Sequence, residues 1–258
     1  MNDTSGVKRF FEYLPESIKF HKLKNEGLAK FIFTFVLIFQ LAGDYIQYRV
    51  LNLIPQEEMD KVYFALAGMI PETEAALPNQ HTISTLFIIL GTALLVKLVS
   101  NLFFSVYMYS YISELRGKDT GFKACFKGTF KHMGRLICYN VVFGLMVTLG
   151  LMFFIVPAII VYIIFIFGYC YILDLKLTVS DAMTASSEIS KGKKMQIVSV
   201  FIGFFLLLKF PIFLLISGST FGTACLTSFF GTITSLILQR LIVQVYMDLE
   251  YKKGIKTK

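Results

Sequence analysis

Four ionisable residues stand inside long apolar runs of this sequence: Asp44, Lys97, Lys209 and Arg240. A charge at membrane depth is costly and is retained where it binds or pairs with something. Asn101, Asn140, Gln239 and Gln244 are their polar company. Lys97 is the foremost candidate. It falls near the middle of its run, and Asn101 follows one turn later on the same helical face. That pair would serve an anionic group or substrate; alternatively, Lys97 is paired structurally within a bundle. Asp44 lies near one end of its run and Lys209 in the same half of its own, where each can reach toward water. Arg240 lies toward the opposite end, near Asp248.

Other chemistry is thinly represented. The chain has no H-E-x-x-H, no G-x-S-x-G, no P-loop and no convincing pair of carboxylates within the apolar runs, so no enzyme template fits. Cys125, Cys138, Cys170 and Cys225 are scattered, as are His21, His81 and His132. Their spacing supports neither disulfides nor a metal site, and no cofactor is expected. The expectation is a protein that is not an enzyme.

The elements that must position these residues are membrane spans. The chain has 258 residues, 55% of them hydrophobic and 16% charged, with a mean hydropathy of +0.66. A soluble domain carries about 25% charged residues. About 20 residues of helix cross a hydrocarbon core of about 30 Å. The sequence therefore predicts an all-α integral membrane bundle of about six transmembrane helices, one membrane domain over 1–258. The spans are placed at 29–48, 82–112, 135–154, 156–173, 195–216 and 221–246. The second is too long for a perpendicular helix and is expected to tilt or project. The third and fourth are divided near Pro157, which removes a backbone donor and ends the preceding helix in a tight hairpin. Pro211 predicts a kink in the fifth. About thirty mixed polar residues precede the first run, unlike a cleavable signal peptide, so that span is expected to be kept.

Loop charge orients the bundle. Segment 113–135 has six basic and two acidic residues, whereas 49–81 has two basic and five acidic. The N-terminal segment, 174–194 and the tail are also net basic. Basic loops stay cytoplasmic, so both termini (1–28 and 247–258) are expected in the cytoplasm and 49–81 outside, in the cell membrane of a bacterium. The excess of 25 Lys+Arg over 17 Asp+Glu is read as this bias together with attraction to anionic headgroups; nucleic acid is not expected as a partner. With no Trp in the chain, the interfacial belt falls to Tyr, at positions such as Tyr45, Tyr48, Tyr107, Tyr111, Tyr169 and Tyr246.

Three connecting segments look amphipathic. In 56–70, Met59, Val62, Tyr63, Leu66 and Ile70 form one stripe, with Glu57, Glu58, Asp60 and Lys61 on the other side. This predicts a helix lying on the outer surface, or a capture face for an external ligand. In 121–135, Phe122, Phe126, Phe130 and Met133 run beside Lys123, Lys127 and Lys131. That pattern suits an interfacial helix on anionic lipid, acting as an anchor or in specific recognition. In 178–192, Thr178 or Ser180 caps a helix that Gly192 ends. Its face of Ala182, Ala185, Ser186 and Ile189 favours close docking on the spans.

This third segment carries a resemblance. Asp181, Ala182, Met183, Ser186, Ile189, Lys191 and Gly192 match the D/E-A-L-x-x-S-x-x-L-x-K-G element of a large group of bacterial membrane proteins. The group includes the membrane domain attached to some glycerophosphoryl diester phosphodiesterases. The hairpin around Pro157 stands where that group has a Pro-Gly turn, with Ala158 in place of Gly. The resemblance covers about residues 120–250. The phosphodiesterase catalytic domain has no counterpart, so the resemblance implies a stand-alone membrane domain without its activity. A weak echo between 126–144 and 190–203 also raises three repeats of surface helix plus hairpin.

The functional expectation is a multi-pass membrane protein that binds a lipid, an amphiphile or a membrane partner. One alternative is a small transporter or exporter component using Lys97. Another is a self-immunity protein that captures a membrane-active peptide on its acidic outer segment. Small residues in the last run (Gly222, Cys225, Ser228, Gly231, Thr232, Ser235) mark a packing face or, in the sharper reading, a permeation lining.

Overall fold

The computed structural model describes residues 7–66, 78–118, 121–216 and 220–256. Every regular element among them is helical. A short amphipathic helix, α1 (Phe10–Ile18), precedes α2 (Glu26–Leu51), and α3 (Gln56–Leu66) follows. Next come α4 (Gln80–Leu115), α5 (Phe122–Phe130) and α6 (Met133–Phe153). The chain continues through α7 (Ile155–Phe165), α8 (Gly168–Asp174) and α9 (Val179–Ser190). It finishes with α10 (Lys194–Phe204), α11 (Phe210–Leu215) and α12 (Phe221–Lys256). Six stretches are long and apolar enough to cross a membrane: α2, α4, α6, α7–α8, α10–α11 and α12. This is a multi-pass, all-α architecture. One end of the bundle gathers α1, α5, α9 and the Lys-rich loops, and is called here the basic end. The far end carries α3.

Breaks in the spans have local causes. Phe154 adopts an extended conformation (φ −169°, ψ 164°) between α6 and α7, and that single residue reverses the chain. Pro157 sits in the first turn of α7, where a missing N–H costs nothing. The tip of this hairpin is wholly apolar: Leu151, Met152, Phe153, Phe154, Ile155 and Val156 are between 55% and 79% exposed. In the fifth span a π-helical turn, Phe205–Lys209, comes just before Pro211. The wider turn accommodates the proline ring and its missing donor. With 36 residues, α4 is about 54 Å long at 1.5 Å per residue. It exceeds an apolar core of about 30 Å and continues beyond it at the basic end.

Apart from Ala158 and Ile54, the buried apolar side chains gather in one half of the bundle. The core takes from α2 only residues up to Val36, and from α4 only those from Phe104 onward. Leu136 and Tyr139 represent α6, and Ile163 represents α7. α10 contributes up to Phe204, and α12 begins at Leu236. All of these lie toward the basic end. In the other half the helices meet mainly in neighbouring sets. α2 packs with α4 and α12, and α6 packs with α7.

Candidate functional site

The segment with the family-like motif has a structural task. α7 ends at Phe165 and α8 starts at Gly168, so the carbonyls of the last α7 turn lose their helical donors. Side chains replace them. Ser186 donates to the Ile164 carbonyl at 2.6 Å, and the Tyr139 hydroxyl donates to that of Phe165. Ser190 donates to the Ser186 carbonyl at 2.8 Å and lies 3.4 Å from that of Ile163. α9 thus splints a broken span. Its N-cap is Thr178, which accepts from the Asp181 N–H and donates to its carboxylate at 2.6 Å. Ala182, Ser186 and Ile189 are buried, while Asp181 and Lys191 are exposed. Gly192 has φ +73°, a conformation that suits glycine and stops the helix. Pro157 lies at the other end of α7, remote in sequence from this splint.

At the basic end a polar seam closes the bundle. Arg240 is 4% exposed. Its guanidinium lies 4.2 Å from the centroid of the Tyr111 ring and donates to the Lys22 carbonyl at 3.0 Å. Glu16 stands 3.9 Å away. Gln244 donates to the Tyr111 hydroxyl and accepts from Ser17, both at 3.1 Å. Tyr107 donates to the Phe20 carbonyl at 2.8 Å. Much of this seam comes from α1 and the segment after it, whose packing the sequence reading did not anticipate. The signal was there in the spacing of Phe10, Tyr13, Leu14 and Ser17, which puts these side chains on one face. Tyr13 donates to Asp248 at 2.9 Å, and Lys8 pairs with that carboxylate at 3.3 Å. Burial pushes the Tyr13 phenol up, the Lys8 N–H pulls it down, and Asp248 adds to the rise. On the neighbouring side Asp174 bridges Arg116 at 2.5 Å and Tyr246 at 3.0 Å.

α5 lies beside this seam. Phe122 and Phe126 set their rings against Phe31 at 5.4 and 5.9 Å, and Phe126 meets Phe103 at 6.0 Å. Phe130 stacks on Phe126 at 6.0 Å. Lys123, Lys127 and Lys131 are all exposed. The helix stops before Met133, which already belongs to α6, because His132 turns the chain. Next to it, a cavity of about 580 Å³ opens between the start of α2 and the end of α4, with Lys24, Glu26, Glu114 and Lys118 in its walls.

Lys97 stands where the core stops. It shares one helix face with Asn101, Phe104, Met108 and Tyr111, at i, i+4, i+7, i+11 and i+14. Phe104, Met108 and Tyr111 are buried, Asn101 is half-buried and Lys97 is exposed. Further along, Leu94 and Leu90 are each 54% exposed. The face that packs the core near the basic end therefore emerges from it at Lys97. Lys209 is also exposed, on the π-helical turn of another span. Arg240 and Lys97 are thus not brought into one site: one is sealed in the seam, the other open above the core.

Asp44 does not simply reach water. Its carboxylate accepts a hydrogen bond from Ser228 on α12, and one turn nearer the core Thr232 donates to Gln40 at 2.7 Å. α3 also differs from its amphipathic reading. Met59 and Val62 are half-buried, but Tyr63 is 59% exposed. Glu58, assigned to the solvent side, turns inward instead. It accepts from the Asn79 N–H at 2.8 Å and from Lys61 at 2.7 Å, tying α3 to the start of α4. These bonds, the Asn79 N–H first, hold the Glu58 carboxyl below the usual range. Ile70 and the Leu66 side chain lie outside the described residues. Among the described residues, no three His, Cys, Asp or Glu side chains gather as metal ligands.

No family model, no curated protein and no solved structure matches this chain.

Proposed function

We propose that this chain is a non-enzymatic protein of the cytoplasmic membrane, both termini cytoplasmic, that holds an anionic lipid or amphiphile against Lys97. The observation that carries this is Lys97, exposed near the centre of α4 on the face that enters the core two turns further on. A lysine in the apolar layer is costly, up to about 2.5–3.5 kcal/mol at its centre on insertion scales. An anionic headgroup drawn to Lys97, its tails in the surrounding lipid, offsets that cost. The exposed lysines of α5 support the reading at the other end, where anionic headgroups collect at the cytoplasmic surface. The resemblance of α9 to the bacterial membrane-domain element belongs to the same proposal.

A transporter would need a route past Arg240. The seam around that residue, with Tyr111 over its guanidinium and the Lys22 carbonyl bonded to it, favours a holder of amphiphiles over a conduit.

The test is native mass spectrometry of the full chain released from phosphatidylglycerol nanodiscs. Lys97→Gln is expected to lose the most tightly retained lipid, with retention falling about tenfold, the equivalent of about 1.4 kcal/mol. Joint replacement of Lys123, Lys127 and Lys131 by Gln removes the more weakly held lipids only. Equal retention by Lys97→Gln and the parent protein refutes the proposal.

A further inference from the structure

The antiparallel pair α2 and α12 is built as a ladder whose rungs change character. Val36 and Leu236, both buried, form the apolar rung in the core. One turn outward Thr232 bonds Gln40, and one turn further Ser228 bonds Asp44. At the next level stand Tyr48 and Ala224. They line a cavity of about 260 Å³ together with Asp44, Thr220, Thr223, Thr227 and Ser228.

The chemistry of this cavity is one-sided. Every polar side chain in its wall carries an oxygen, and none of the lining residues is Lys, Arg or His. Only Ser228 donates to Asp44 among the described residues, so the second carboxyl oxygen is left to accept from elsewhere. Thr227 spends its hydroxyl proton on its own helix, at 2.9 Å to the Thr223 carbonyl. Its lone pairs can still accept. Tyr48 brings an aromatic ring to the wall, and Phe221 lies 5.8 Å from that ring and 5.6 Å from Tyr45. Acceptor oxygens and π-faces around one carboxylate are what an ammonium group requires: its N–H bonds are directed at the oxygens and its charge at the carboxylate and the rings. The space holds several waters at about 30 Å³ each, so it suits an alkylammonium group better than a bare metal ion. The position fits as well. Asp44 lies about 10 Å along the helix from the end of α2 at Leu51, at 1.5 Å per residue, within reach of the headgroup layer.

We infer that the Asp44 cavity between α2 and α12 is a binding site for an alkylammonium group, carried either by a zwitterionic lipid headgroup or by a free organic amine. The site is separate from Lys97 and does not depend on the anionic amphiphile proposed there.

Two probes distinguish the sources. The full chain is placed in nanodiscs of equal phosphatidylethanolamine and phosphatidylglycerol, and retained lipid is read by native mass spectrometry. In phosphatidylglycerol-only nanodiscs, ethanolamine and tetramethylammonium are tested for a rise in melting temperature. A lipid source predicts that the parent protein retains phosphatidylethanolamine and that Asp44→Asn lowers its retention about tenfold, a change of about 1.4 kcal/mol. A free-amine source predicts a rise in melting temperature with the soluble amines that Asp44→Asn abolishes. Tyr48→Leu, which leaves the Asp44–Ser228 bond in place, gives the same losses should the Asn variant fail to fold. Lys97→Gln leaves both readouts unchanged, so failure here and failure of the anionic site are told apart. Equal phosphatidylethanolamine retention with and without Asp44, together with no amine-induced shift in the parent protein, overturns the inference.

Discussion

Substitutions at Tyr111 separate the two functions of its side chain in the seam. The ring lies under the Arg240 guanidinium at 4.2 Å, and the hydroxyl accepts from Gln244 at 3.1 Å. A cation over an aromatic ring in a desolvated site contributes about 2 kcal/mol, and one hydrogen bond about 1 kcal/mol. Tyr111→Phe keeps the ring and costs about 1 kcal/mol. Tyr111→Leu loses both and costs about 3 kcal/mol. At about 2–4 °C per kcal/mol for a chain near this size, the melting temperature falls by about 2–4 °C for Phe and about 6–12 °C for Leu. The chain lacks Trp, so unfolding is best followed with a thiol-reactive dye, to which the buried Cys125 and Cys170 become available. In an Arg240→Met background the gap between the Phe and Leu variants should close, because the cation that the ring serves is gone. Equal melting of Tyr111→Phe and Tyr111→Leu in the parent background would refute the reasoning.

Two further perturbations have definite signs. A Cβ at Gly150 would stand 2.8 Å from the Ala158 Cα and 3.0 Å from its nitrogen, so Gly150→Val forces α6 and α7 apart and lowers the melting temperature. Ala158→Gly does not rescue it, since the clash is with backbone. His132 is buried, and burial first, then Arg135, Lys176 and Lys131, hold its pKa below 6.5. Its contribution to stability is complete above the unfolded value and is lost as pH falls through it toward the folded one. Melting temperatures between about pH 7 and about pH 5 should therefore drop less steeply in His132→Asn than in the parent protein.

The six membrane-length helices were legible because length and hydropathy are properties of single segments. The cap and stop of α9 were legible for the same reason: Thr178 and Asp181 act within three residues of each other at one end, and Gly192 acts locally at the other. The reason for Ser186 was not. It answers carbonyls that a break in α7 releases, and that break lies about twenty residues earlier in the chain. The inward turn of Glu58 was hidden likewise, since its partner N–H belongs to Asn79. The one-ended core was not legible, because hydropathy reports how apolar a segment is and not which helices meet around it. Lys97 and Asp44 could be singled out by type alone. Their different surroundings come from which helices meet at each depth.

The apolar tip of the α6–α7 hairpin bears on how this protein enters a membrane. From Leu151 to Val156 there is no polar side chain and only one residue outside helix. The two strokes can therefore slip in side by side, with no hydrophilic segment to carry across the apolar layer. With both termini in the cytoplasm, as proposed, α2 and α4 have a harder passage, because Glu57, Glu58, Asp60 and Lys61 lie between them and would have to cross before α3 could fold against the far surface. In that orientation the α6–α7 hairpin inserts by partitioning alone, whereas the α2–α4 pair needs a machine to move charge.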